Sequence, residues 1–328
     1  MESGRPPNHK PKLTITEQIE DLRRRGVRFS ESETAFARTC LTSHRSLLHL
    51  SAYRELFPKH LEGPNKGKYI DLSFTDLIAL DELDGQLRKV FLDVTLEVEN
   101  AARMRILSTV SEMPEEDGYE TIQDFFAKLP PKYRASIRAE LERRCDPDRP
   151  SFDIYRGSLT KKYLDDMPVW VFVEVISFGA LLSLYRFCAK RWGDREMLNA
   201  YYTLKQVKDV RNACAHQSCI INGFNRFERT PRRPSKEVYQ ALDRAGLRNS
   251  PAQKEKLGNP RIQQLICTLY AYDRFVQPRT DALKGKVANL SRKLKRASIN
   301  YSTARGMDTF IYFDYLAAVI DRLVYVSV

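Results

Sequence analysis

Apolar residues recur at three- and four-residue steps along most of the chain, the spacing that aligns one face of an α-helix. Ile15, Ile19 and Leu22 share such a face; Thr14 with Glu17 forms a capping box ahead of them, and Gly26 ends the run. Ser30 with Glu33 opens a second helix to about Leu41, and Leu47–Phe57 continues as a short third one. EGPNKGK (62–68) reads as a loop. Ser73 and Asp76 start a long helical stretch to about Val110, with a stripe through Leu77, Leu80, Leu83, Leu87, Val90, Phe91, Val94 and Val98. Beyond the acidic loop at 112–118, Thr121–Ala127 and Pro131–Arg144 predict two further helices, and 145–158 a linker or ordered loop. Pro168 to about Arg191 is apolar nearly all round, which predicts one buried central helix with Pro168 at its first position. Helices are expected over about Arg195–Gln217, 236–245, 258–275 and Asp308–Val324. No segment shows the alternation of a strand. The expectation is an all-α protein: a disordered basic arm (1–12), an N-terminal helical region (13–70), a helical core (71–235) and a C-terminal helical region (236–328).

Composition narrows the class. The 328 residues are 42% hydrophobic with 14 glycines, a globular chain rather than a disordered one. Lys and Arg outnumber Asp and Glu 54 to 42, for a net charge of +12, which points to a polyanionic partner. The most apolar run, Pro168–Leu184, is interrupted by Glu174 and is too short to cross a bilayer. The opening MESGRPPNHKPK lacks the apolar stretch of a secretory signal. The six cysteines show no framework spacing, so reduced thiols and a cytoplasmic location are expected.

The segment with chemical content is Lys208-Asp209-Val210-Arg211-Asn212-Ala213-Cys214-Ala215-His216. On a helix, Asn212 and His216 share a face, and the long side chain of Arg211 bends back towards them or meets a second copy of the helix across a two-fold axis. RNA carries its own nucleophile, the 2′-hydroxyl. Cleavage needs that hydroxyl deprotonated, the phosphorane charge stabilised and the leaving 5′-oxygen protonated. His moves protons near neutrality, Arg grips phosphate and Asn orients either of them. This route needs no metal and no cofactor. Spacing alone is a weak signal, because Arg and His five apart are common.

Residues 167–222 resemble the Abi-like family of abortive-infection proteins (the AbiD and AbiF group), which are HEPN proteins related to the nuclease domains of type VI CRISPR effectors. The resemblance lies in Pro168-Val169-Trp170, Glu174, Ser177-Phe178-Gly179-Ala180-Leu181, Leu184-Tyr185, Val210-Arg211-Asn212, Ala215-His216 and Asn222. The opening KPKLTITEQIEDLRRRGV (10–27) and the pair Tyr53-Arg54 are similar too. It implies a HEPN-type helical bundle with N- and C-terminal helical additions, and an Arg-Asn-x-x-x-His nuclease signature at Arg211, Asn212 and His216. It also implies a homodimer with a composite cleft, cyclic-phosphate products and a role as an endoribonuclease toxin in phage defence or a toxin–antitoxin system. An inhibitory non-coding RNA is a further expected partner. Many relatives carry a second His and then an Arg just after the motif; Gln217 and Cys219 occupy those places here.

Other residues admit two readings. Glu174, inside the apolar run, either supports Arg211 or His216 in the cleft or forms a structural ion pair. Cys214, His216 and Cys219 suggest zinc, but three ligands within six residues of one helix make poor tetrahedral geometry. The basic runs at 226–236 and 284–296 nominate Arg226, Arg229, Arg232, Arg233, Lys293, Lys295 and Arg296 for RNA contact, with Phe224, Phe227 and Tyr301 interleaved for base stacking; the plain reading is a solvated loop and tail. Trp170, Phe172, Phe178 and Tyr185 are expected in the core or a dimer interface. His9, His44, His49 and His60 show no partner pattern. A catalytically silent HEPN RNA-binding module is the alternative to a nuclease. A DNA-binding regulator is a third reading, without a helix-turn-helix signature to support it.

Overall fold

The computed structural model describes residues 12–224, 233–302 and 310–324; nearly all of the expected basic arm, and Arg226, Phe227, Arg229 and Arg232, lie outside them. The chain is all-α. The helices are α1 (Ile15–Arg24), α2 (Glu31–Ser43), α3 (Leu47–Arg54), α4 (Phe74–Glu112), α5 (Gly118–Lys128), α6 (Pro131–Cys145), α7 (Gly157–Tyr163), α8 (Val169–Val175), α9 (Phe178–Arg191), α10 (Arg195–Ala215), α11 (Lys236–Arg244), α12 (Pro251–Lys256), α13 (Pro260–Phe275), α14 (Asp281–Ser302) and α15 (Ile311–Val319). The last widens into a π-helical turn over Ile320–Val324. The described residues contain only two isolated bridge pairs and no strand.

Three of the first four helices begin at capping boxes: Thr14 with Glu17, Ser30 with Glu33, and Ser73 with Asp76. In each, the hydroxyl accepts the third backbone N–H while the carboxylate accepts the cap's own N–H, satisfying two donors that a helix start leaves open. Gly26 stops α1 with φ 91°, where a Cβ would lie 2.9 Å from the Tyr69 carbonyl oxygen.

The expected single helix over Pro168–Arg191 is instead two, α8 and α9. Ile176 is extended (ψ 158°), and the Ser177 hydroxyl accepts the Ala180 N–H to start α9. A serine cap inside an apolar run outweighs the hydrophobic pattern there. α7, α12 and α14 are elements that the sequence pattern did not single out. The basic run at 284–296 lies within α14, which buries Leu283, Val287, Leu290 and Leu294 along one face.

One apolar core extends from Ile19 on α1 to Val324. α4, 39 residues long, is its axis. α10 packs against α4, α9 and α13, while α14 lies along α4 and α15. No helix among the described residues is long and apolar enough to cross a membrane.

Gly85 lies in the interior of α4, where glycine is disfavoured relative to alanine by about 0.5–1 kcal/mol. A Cβ there meets only the Arg88 Nη2 atom, at 3.7 Å. Gly85→Ala is therefore expected to raise stability by about 0.5–1 kcal/mol in urea unfolding; a loss would mean that the added methyl disturbs Arg88.

Candidate functional site

α10 buries Ala200, Thr203, Leu204, Val207, Val210 and Cys214, a stripe with helical periodicity. Arg211 and Asn212 lie half-buried at its edge, and His216 is the exposed C-cap. The helix ends in a Schellman turn: the Ser218 N–H reaches the Ala213 carbonyl at 2.8 Å and the Gln217 N–H the Cys214 carbonyl at 3.1 Å. Gln217 takes the left-handed conformation at φ 55°, usually left to glycine at this place in the motif. The turn fixes the backbone around His216 and leaves its imidazole open to solvent.

Arg211 is positioned by one hydrogen bond and one longer ion contact. Its Nη1 donates to Asn212 Oδ1 at 3.3 Å, and its Nε lies 3.8 Å from Glu99 Oε2 on α4. Glu99 is buried and also pairs with Arg103, one turn along. Nη2 of Arg211 has no partner among the described residues. Glu99 is thus the carboxylate facing the motif, and the sequence reading missed it. Its signal was an Glu–Arg pair four apart, with Glu99 next to Val98 on the buried side of α4. The role expected of Glu174 is corrected: Glu174 is exposed on α8, sharing an outer face with half-exposed Trp170, and has no ion pair with a described residue. The break after Val175 makes α8 short enough for one face to meet solvent. Phe172, Phe178 and Tyr185 are buried as expected.

The segment after the motif is clamped from two sides. From α4, the fully buried Asp84 accepts the Ile220 N–H at 3.2 Å, the Ile221 N–H at 3.1 Å and the Tyr53 hydroxyl at 2.9 Å, and it pairs with Arg88. Burial alone pushes the Asp84 carboxyl above its usual range. The groups facing it can all donate, however, and a guanidinium is among them. A carboxylate with its guanidinium partner is the state that satisfies them. Burial draws Arg88 down, but Asp84, Tyr53 and Cys219 together outweigh it and the net direction is up. From α13, Arg261 Nη1 donates to the carbonyls of Cys219 (2.6 Å) and Ile220 (2.8 Å) and to Asn222 Oδ1 (2.5 Å). Asn259, the N-cap of α13, donates to the carbonyls of Gly223 (2.8 Å) and Phe224 (3.1 Å). A Cβ on Gly223 would lie 2.2 Å from Arg261 Nε, so only glycine lets the guanidinium pass.

Beside this clamp lies a second polar group. Asp81 Oδ1 accepts from His49 Nε2 at 2.8 Å, and Arg45 pairs with the same carboxylate. His49 therefore has a partner that its sequence surroundings did not suggest.

Four of the residues nominated for RNA contact are among the described ones. Arg233 and Arg296 are exposed; Lys293 donates to Gln86 Oε1 on α4 at 2.6 Å, and Lys295 pairs with Asp321 at 2.5 Å. Phe224 and Tyr301 are not stacking platforms: both are buried, Phe224 against Phe313 and Tyr301 stacked on Phe310 with centroids 4.7 Å apart. α14 and α15 close over aromatic rings that in a loop would have faced solvent.

Cys214 is buried and its thiol is pushed up to about 12, chiefly by burial; burial likewise pushes the half-buried Cys219 thiol up to about 12. His216, by contrast, faces solvent.

These features define an all-helical protein with an Arg-Asn-x-x-x-His motif at the end of a helix locked from both sides. A family model described as Abi-like protein matches residues 41–222. The chain belongs to this family of Abi-like proteins. No curated protein and no solved structure matches it.

Removing one partner of a buried ion pair costs about 3–5 kcal/mol. Asp84→Ala is expected to cost about that much in equilibrium unfolding, because Arg88 and two N–H groups lose their acceptor; a loss below about 1 kcal/mol would remove Asp84 as the anchor. The raised thiols give a second expectation. At pH 8 the native protein should label slowly with a disulfide reagent at Cys214 and Cys219, and fast labelling of either, located by peptide mapping, would contradict the burial described.

Proposed function

We propose that the protein is a metal-independent endoribonuclease of the HEPN type, the toxin of a phage-defence or toxin–antitoxin system. The observation that carries this reading is the end of α10: a guanidinium hydrogen-bonded to Asn212 and facing Glu99, its Nη2 without a partner among the described residues, followed by an exposed histidine at a Schellman turn. Membership of the Abi-like family supports the defensive role.

In this mechanism His216 moves the proton: it takes one from the 2′-hydroxyl or gives one to the leaving 5′-oxygen. Arg211 lends its free edge to the phosphorane oxygens, where fixed positive charge is most effective. Glu99 and Asn212 keep that edge oriented before substrate arrives, which lowers the reorganisation required during the reaction. Two proton transfers call for two groups, and a second copy of the chain across a two-fold axis supplies the other histidine. The RNA substrate is bound by a surface of net positive charge, and an inhibitory RNA is a natural antagonist for the same surface.

The test is cleavage of total bacterial RNA in EDTA by the wild-type protein and by Arg211→Ala/His216→Ala. The wild type is expected to leave cyclic phosphate ends. The variant should retain its melting temperature and lose at least about 100-fold in rate. Equal cleavage by a folded variant overturns the proposal. RNA retained by both proteins without products would favour a silent RNA-binding module instead.

A further inference from the structure

Beside the motif's last turn, a cleft of about 480 Å³ opens between the start of α3, the first third of α4 and Gln217. Its walls include Arg45, His49, Gly85, Gln86, Arg88 and Gln217. Gln217 directly follows His216, so the cleft begins one residue from the proposed proton-transfer group.

Three observations point to a ligand. The first is the floor: Gly85 lacks a side chain in the interior of a helix, and a longer side chain there would project into the space beside Arg88 Nη2. The second is the orientation of the walls. Asp84 and the Ser218 carbonyl (3.5 Å) hold Arg88 through Nη1, leaving Nη2 4.0 Å from Asp81 Oδ1. Arg45 is tied to Asp81 and to the His44 carbonyl. Lys293 occupies the Gln86 carbonyl oxygen at 2.6 Å, which leaves the Gln86 amide N–H₂, without a partner among the described residues, to meet other acceptors. The third is charge. Arg45, Arg88 and Lys89 in the walls face Asp81 and Glu82, with the buried Asp84 paired to Arg88 behind them, so the cleft presents fixed donors and acceptors without a strong net field. A phosphate would call for excess positive charge. The edge of a nucleobase calls for this kind of neutral, directional surface, and amides, guanidinium planes and imidazoles are the groups that read and stack on unpaired bases. The volume lies within the range of small-ligand sites.

We infer that this cleft receives one unpaired base of the RNA, next to the scissile phosphate, and sets which sequences are cut. The inference rests on the nuclease reading for its consequence, and on the cleft alone for the binding.

Two measurements test it. Cut sites in a random-sequence RNA pool are mapped for wild type, Gly85→Gln and Gln217→Ala. Wild type is expected to prefer one base beside the cut by about fivefold or more, as a good pair of hydrogen bonds allows, and both variants to flatten that preference towards equality. An unchanged preference in both overturns the inference. In the second measurement, binding of A, G, C and U homopolymer hexamers is followed by fluorescence anisotropy in the His216→Ala background, with and without Gly85→Gln. The hexamers should differ in affinity by about fivefold or more, and Gly85→Gln should remove the difference. Equal binding of all four, or selectivity untouched by Gly85→Gln, overturns the inference. If the wild type cuts nothing while selectivity appears and is lost in Gly85→Gln, the base site stands and the nuclease reading falls.

Discussion

The Asp84 carboxylate is the constraint on which the site depends. A helix that ends at Ala215 leaves carbonyls exposed on one side of the break and the N–H groups of the next turn on the other. The Schellman turn at Gln217 deals with the first, and Asp84 with the second by accepting from Ile220 and Ile221. A buried carboxylate is unfavourable in isolation. It is retained here because Arg88 and Tyr53 complete its shell, and those partners belong to α4 and α3. The loop after the motif is thereby tied to the first helices of the fold.

The C-terminal third completes the same task from the other side. Arg261 and Asn259 gather the carbonyls that Asp84 cannot serve, and Gly223 leaves room for the guanidinium to do so. α10 is thus held between α4 and α13, and its end has two independent anchors. This gives α13 a structural purpose although it carries no recognisable motif. The aromatic residues Tyr301, Phe310 and Phe313 pack with one another and with Phe57 and Phe224 rather than facing a ligand.

Much of this was legible in the sequence. The capping boxes at Thr14, Ser30 and Ser73 marked helix starts because the hydroxyl–carboxylate pairs act within one turn. The motif residues were found because they lie on one short stretch. What escaped was non-local. Glu99 and Asp84 are carboxylates set within or beside the apolar stripe of α4, and nothing in their immediate surroundings says that Arg211 or Ile220 will arrive opposite them. Asp84 did leave a trace, since it interrupts the Leu80–Leu87 face. Glu174 misled for the opposite reason: its neighbours are apolar, but α8 is too short to be surrounded. The serine cap at Ser177 was hidden by the hydrophobic run on both sides.

Both polar references for the motif are carried by one rod. Glu99, which faces Arg211, and Asp84, which fixes the segment after His216, stand about 22 Å apart along α4. Their relative phase is set by the helical screw alone. Inserting or deleting one residue between them would turn one reference by about 100° and slide it about 1.5 Å against the other. No side-chain adjustment could restore both contacts together. Between these points the chain can change its letters far more readily than its length, and that stretch of α4 serves as a ruler for the site.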